Sequence, residues 1–157
     1  MKFVTRNAID TIKLRDAAIL SLTLTPDRLT MTVEGAIVKA NNTNNARFED
    51  MYCPTMQLTL KHIEVIDFCR QGYKYYNADG ALLNEVPDRT LSEAGRRQVL
   101  GQIQGANLFY FDKNPEAETY LCIFDIEKDD EVTTYQIELT FEESIAGWDR
   151  YSGPVGE

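Results

Sequence analysis

The sequence predicts a mainly β (α+β) fold: a curled antiparallel β-meander of about eight strands, barrel-like or two-layered, with one helix packed on it. Two observations support this prediction. Apolar and polar residues alternate along most of the chain, as is typical of half-buried strands, and a convincing helical pattern is confined to residues 91–104. A flatter α+β sheet is the alternative architecture.

Residues 17–38 predict the first β-hairpin. The alternation of apolar and polar side chains is interrupted by Pro26 and Asp27, which are typical turn residues. Gly35 indicates a bulge or bend that would curl the returning strand. The asparagine-rich run at 41–45 predicts a mobile connection.

A long bent strand is predicted from Met56 to Phe68. Its apolar positions change phase near Lys61 and His62. Because a slip of one residue exchanges the two faces of a strand, we expect a β-bulge at this point.

A second hairpin is predicted between residues 73 and 86. Asp79-Gly80 tolerates the positive φ angles of a tight hairpin turn. In the resulting register Tyr76 faces Leu83, and Lys74 faces Glu85.

The helix at residues 91–104 is predicted from its apolar stripe and its end signals. Thr90 and Glu93 fit a capping box, and Gly105 stands where a helix-terminating glycine is expected. We expect this helix to cover the sheet. Residues 1–15 show weaker helical spacing and are interpreted as a terminal arm or a short helix.

Three strands in meander order follow the helix, at about residues 107–111, 118–126 and 134–142. The first is apolar on both faces and therefore central. The last alternates apolar residues with threonine, glutamine and glutamate, which predicts one buried face and one acidic, hydrated face.

The chain of 157 residues is predicted to form a single domain over residues 1–157. No run approaches the length of a membrane span, and no signal-peptide pattern is found. Cys53, Cys69 and Cys122 lie among apolar residues and are predicted to be reduced, buried thiols. These features predict a cytoplasmic protein.

The net charge of −9 is concentrated in the last third of the chain. Residues 112–157 carry 13 acidic and 3 basic side chains. Such a surface repels nucleic acid and anionic membranes, and it favours a basic protein partner. The alternative is that the acidic surface only maintains solubility.

The common routes to catalysis lack support. His62 is the only histidine, so any catalytic triad or multi-histidine site depends on it, and no nucleophile elbow, phosphate loop or CxxC motif is found. We therefore favour a non-enzymatic protein without a metal or cofactor. A solvated face is favoured over an acid/base pair for the alternating carboxylates of the last strands, which are Asp125, Glu127, Glu138 and Glu142.

The leading functional hypothesis is a binding module whose partner contacts the C-terminal region. Trp, Tyr and Arg are enriched at interface hot spots, and the alternative is that Trp148 closes the end of the barrel with Arg150 packed over it. The acidic strand followed by Trp-Asp-x-Tyr resembles small bacterial β-rich proteins that include immunity-type binders, and this resemblance implies an immunity-type binder of a basic protein. The candidate interaction residues are Glu138, Glu142, Trp148, Asp149, Arg150 and Tyr151.

Two other classes stay open. If the curled sheet encloses a cavity, the chain is a small-ligand-binding β-barrel. The candidate pocket residues are Tyr73, Tyr75, Phe109 and Tyr120. An enzyme that uses unrecognised carboxylates is the last alternative, and an exposed edge strand would allow two copies to pair.

Overall fold

A computed structural model describes residues 1–156 and shows a mainly β chain with a large antiparallel sheet and one α-helix, α1 (Glu93–Leu100). The predicted count of eight strands is wrong: these residues form 14 strands, three of which are only two residues long and show no sequence period. The strands are β1 (Phe3–Arg6), β2 (Ile12–Lys13), β3 (Ala17–Thr25), β4 (Arg28–Val38), β5 (Met51–Lys61), β6 (Glu64–Arg70), β7 (Tyr73–Tyr76), β8 (Leu82–Val86), β9 (Arg89–Thr90), β10 (Ala106–Lys113), β11 (Tyr120–Lys128), β12 (Glu131–Thr140), β13 (Glu143–Trp148) and β14 (Gly153–Pro154).

The main sheet joins two sequential meanders, β3-β4-β5 and β10-β11-β12, through the pairing of β3 with β10. Its order is β1-β13-β5-β4-β3-β10-β11-β12-β6-β9, with β2 on β4 and β14 on β5. The structure does not show a closed barrel, since this path has two ends. β7 and β8 form a separate two-stranded sheet.

Two corners bend the main sheet. The predicted single bent strand from Met56 to Phe68 is two strands, and in place of the expected β-bulge the two residues between β5 and β6 form a corner, where His62 has a φ of +55°. Two residues likewise separate β12 from β13. Since β13 pairs with β5 and β12 pairs with β6, the two bent segments run side by side as one ribbon.

The core lies against the inward face of the sheet and is closed in part by α1. Val99 and Ile103 are buried there, and the Phe68 and Phe124 rings pack edge to face, 6.4 Å apart. Fully burying a side chain of this size contributes about 1.5–3 kcal/mol, so hydrophobic packing is the dominant stabilising term. Other fully buried side chains include Leu29, Met31, Met56, Leu58, Leu60, Leu108 and Ile137.

The helix is shorter than the predicted range of 91–104, and its cap is Ser92 rather than Thr90. Ser92 Oγ accepts a hydrogen bond from the Gly95 amide at 3.1 Å. Thr90 is unavailable as a cap because it belongs to β9, where its hydroxyl donates to Asp67 at 3.1 Å. Gly105 adopts a φ of +87°, but it lies beyond the end of the helix.

The N-terminal segment is neither the helix nor the free arm that its spacing suggests. It contains β1, a 3₁₀ turn (Ile9–Thr11) and β2. β1 pairs with β13, and Phe3 stands opposite Trp148. Because this partner strand lies far away in sequence, local spacing carries no sign of it.

Within residues 1–156, no helix has both the length and the apolar character that crossing a membrane requires.

Candidate functional site

The β7–β8 hairpin, here called the tyrosine arm (residues 73–86), stands apart from the main sheet and exposes its apolar side chains. Every residue of both strands is exposed. The exposed fractions of its large side chains run from 36% to 66%. They belong to Tyr73, Tyr75, Tyr76, Leu82, Leu83 and Val86.

Local chemistry explains why this sequence forms a hairpin. The Asn77 side chain accepts hydrogen bonds from the amides of Asp79 and Ala81, each at 2.9 Å, and Gly80 takes a φ of +81°. Lys74 stands opposite Glu85, as predicted. Tyr76 pairs with Leu82 rather than with Leu83, because a bulge follows Tyr75.

The base of the arm is held by hydrogen bonds from two consecutive backbone amides. The Gln71 amide donates to the Thr134 carbonyl at 2.8 Å, and the Gly72 amide donates to the Asp88 carboxylate at 2.7 Å. The arm therefore starts at a fixed point beside β12.

An acidic turn lies near the arm. We use this name for residues 127–131, which carry four carboxylates and one lysine and connect β11 to β12. The pKa of Tyr75 is raised, first by its interaction with the Tyr73 hydroxyl and also by the negative charge of Glu131. The acidic turn lies close to the base of the arm, because Gln71 is hydrogen-bonded to Thr134, three residues after Glu131 on β12.

The half-buried carboxylates of the outer sheet face are held by hydrogen bonds. Asp125 accepts from the Thr134 hydroxyl at 2.6 Å. Glu138 accepts from the Thr119 hydroxyl at 2.7 Å and from the Asn114 amide at 3.3 Å. These contacts give both carboxylates a structural role.

The candidate interaction residues at the C-terminal end divide into buried and exposed groups. Trp148 is fully buried, stacks on Phe3 at 5.8 Å and contacts Tyr151 at 6.3 Å, so its ring does not lie on the surface. The half-buried Tyr151 donates its hydroxyl to the Asn44 carbonyl at 2.9 Å. Glu142, Asp149 and Arg150 are exposed, and Glu138 is half-buried.

The four candidate pocket residues lie in three separate places. Tyr73 and Tyr75 belong to the tyrosine arm. Phe109 is exposed beneath the Arg15 guanidinium, 5.7 Å from its ring centre. Tyr120 lines a cavity of about 500 Å³, and its pKa is raised by burial and by the nearby charges of Asp112 and Asp10.

The three thiols show no sign of activation. Cys53, Cys69 and Cys122 are buried and free, as predicted, and burial raises their pKa values to about 11, 11 and 12. His62 is exposed at the corner between β5 and β6. Among the described residues, no group of three His, Cys, Asp or Glu side chains is arranged to hold a metal ion.

Sequence reasoning missed the polar cluster in the asparagine-rich run. Asn42 and Asn45 are buried, and the Asn42 amide donates to the Thr11 hydroxyl at 2.8 Å. The Asn45 amide donates to three backbone carbonyls, those of Val38, Lys39 and Glu49. The run is therefore packed against its surroundings. It is not the mobile connection that its composition predicts.

Comparison with protein-family models, with curated proteins and with solved structures gave no match.

Proposed function

We propose that this chain is a non-enzymatic binding module that holds a basic protein segment between the tyrosine arm and the acidic turn. The observation that supports this most directly is the exposure of six large apolar side chains on a hairpin outside the main sheet. Contiguous exposed apolar surface is uncommon on a soluble monomer and often marks an interaction site.

The negative charge of the acidic turn favours a basic partner. The acidic turn carries a net negative charge, and residues 112–157 hold 13 of the 25 acidic side chains in the chain. Lysine and arginine side chains also pack favourably on tyrosine rings. A basic segment thus gains from both surfaces, and long-range attraction speeds its approach.

The arm is a better contact surface than the region around Trp148, because the Trp148 ring is not accessible. Glu142, Asp149 and Arg150 remain available as secondary contacts. The resemblance to immunity-type binders adds a narrower possibility, in which the basic partner is a protein whose activity this chain blocks.

Selection from a phage library of random 12-residue peptides tests the proposal with a defined probe. We expect the chain to enrich peptides rich in lysine and arginine. An enriched peptide, synthesised with a fluorescent label, then gives a dissociation constant by polarisation. Loss of several hot-spot contacts weakens such binding by at least about tenfold.

The matched variants separate the arm from exposed apolar surface elsewhere. We expect Tyr73→Ala/Tyr75→Ala/Leu83→Ala to weaken peptide binding, and Phe48→Ala/Tyr52→Ala, which also removes exposed rings, to leave it unchanged. Glu127→Gln/Glu131→Gln should reduce the salt dependence of peptide binding. Enrichment of neutral peptides, equal binding by the arm variant, or an arm-dependent dimer in light scattering would each overturn the proposal.

A further inference from the structure

A cavity of about 500 Å³ lies where α1 meets the β3–β4 turn and the corner between β5 and β6. It shares no residue with the tyrosine arm. Its apolar lining includes Leu24, Val65 and Leu100. This volume falls in the range of small-molecule sites, which are mostly apolar with a few placed polar groups.

The half-buried Arg96 lines this cavity with a cationic side chain. Its guanidinium lies 5.8 Å from the ring centre of the fully buried Phe68. Its Nε atom is buried and has no hydrogen-bond partner among the described residues. An acceptor placed in the cavity would give this guanidinium group a hydrogen bond that the described residues do not supply.

Arg97, the next residue on the helix, also lines the cavity. In the part of the chain that the structure describes, the salt bridges are Arg6 with Glu143 and Lys74 with Glu85, so neither Arg96 nor Arg97 forms one. Two neighbouring guanidinium groups are therefore free to bind the same anion. Their planar donors match a carboxylate, which accepts two parallel hydrogen bonds.

We propose that this cavity binds a small organic acid with an apolar body, such as a medium-chain carboxylate. Its carboxylate contacts Arg96 and Arg97, and its hydrocarbon part lies on Leu24, Val65 and Leu100. Glu64 and Glu93 also line the cavity. Because their negative charges oppose additional anionic charge, a singly charged head is preferred over a phosphate.

Octanoate is a suitable probe, and octanol of equal chain length is its uncharged control. Titration followed by amide chemical shifts should show octanoate binding with shifts confined to α1, the β3–β4 turn and the corner between β5 and β6. Octanol should bind at least about tenfold more weakly, because it cannot form the charged hydrogen bonds. Octyl phosphate should also bind more weakly than octanoate.

Two variants assign the contacts. Arg96→Gln should weaken octanoate binding by about tenfold, whereas Arg47→Gln, in the distant 41–50 loop, should not change it. Leu100→Phe, which fills part of the cavity while keeping both arginines, should also weaken binding. Equal binding of octanoate and octanol, an unaltered affinity in Arg96→Gln, or shifts elsewhere would overturn the inference, whatever the fate of the tyrosine arm.

Discussion

Gly72 lies so close to the backbone carbonyl of Val86 that a Cβ atom at position 72 would collide with the Val86 oxygen. Only glycine fits at this point, directly before the first residue pair of the tyrosine arm, Tyr73 with Val86. The close approach sets the spacing at which β7 and β8 leave the main sheet.

Gly72→Ala should therefore loosen the arm without unfolding the chain. The clash is with backbone, which cannot rotate away, so the two strands must separate at their base. We expect faster amide exchange at residues 73–76 and 82–86, with exchange in β3, β4 and β5 unchanged. Hydrogen exchange followed by NMR measures both.

Gly95→Ala is the matched control for this substitution. A Cβ atom at position 95 meets only ordinary contacts with Ser92 and Leu91. Replacing glycine by alanine within a helix stabilises the folded state by about 0.5–1 kcal/mol. If both variants left arm exchange at the wild-type rate, the close contact would have no structural effect.

Trp148 should be among the most sensitive core positions. Trp148→Ala removes a fully buried ring that stacks on Phe3, and we expect a loss of about 3–5 kcal/mol. Trp148→Phe should cost less than half as much, because it keeps an aromatic ring and removes a buried Nε1–H that has no partner among the described residues. Urea unfolding followed by circular dichroism gives both values. If both variants lost the same unfolding free energy, the contact of an aromatic ring at position 148 with Phe3 would contribute little to stability.

Asn45 should stabilise the chain far more than its loop position suggests. Asn45→Ala leaves three backbone carbonyls without their shared donor and removes the acceptor of the Arg47 amide, at an expected cost of about 2–3 kcal/mol. Asn41→Ala, at an exposed position in the same run, should change the unfolding free energy by less than about 0.5 kcal/mol. Thermal unfolding of the pair is the measurement, and similar values would contradict the role given to Asn45.

Asp130→Gly should stabilise the acidic turn. Asp129 and Asp130 have φ values of +53° and +63°, in the left-handed region where glycine is favoured by about 1 kcal/mol. The same change at Asp27, whose φ is not positive, should destabilise by about 0.5–1 kcal/mol, because glycine adds freedom to the unfolded chain and removes the carboxylate that accepts the Thr25 hydroxyl. Chemical denaturation measures the change in unfolding free energy for both variants. Changes of the same sign would contradict this prediction.

The Cys122 thiol should make the free energy of unfolding depend on pH in the alkaline range. Burial raises its pKa from 9.0 to about 12, so between these values the folded state keeps a proton that the unfolded state releases. Stability then falls as pH rises above 9, by about 1.4 kcal/mol per pH unit for this thiol. Cys122→Ala should make the slope shallower by one proton, as measured by urea unfolding from pH 8 to 10.5. If the slope of the unfolding free energy against pH were unchanged in this variant, the Cys122 thiol would be excluded as the source of the pH dependence.

Local patterns predicted the elements whose partners lie nearby in sequence. The Pro26–Asp27 hairpin forms as expected, with Thr25 opposite Arg28. The β11–β12 pair also follows the alternation, since Phe124 and Ile137 are both buried on the inner face. In both cases a period of two and a turn signal determine the structure.

Long-range pairing explains most of what the sequence did not reveal. β6 pairs with β12 and β3 with β10, so strictly sequential pairing is limited to the two meanders and the β7–β8 hairpin. Tyr73 and Tyr75 are predicted to line the interior of a barrel, and their strand pattern alone does not show which sheet they join. Here β7 and β8 form a sheet of their own, and both of its faces are exposed.

The pairing of β1 with β13 has a consequence for how the chain reaches its folded state. Phe3 meets Trp148 across almost the whole chain, so the loop that this contact closes is nearly as long as the protein itself. Contacts of such sequence separation slow folding, because chain entropy is lost before the contact forms. During synthesis, β3 and β4 can pair as soon as they leave the ribosome. β1 has no partner strand until β13 has been synthesised.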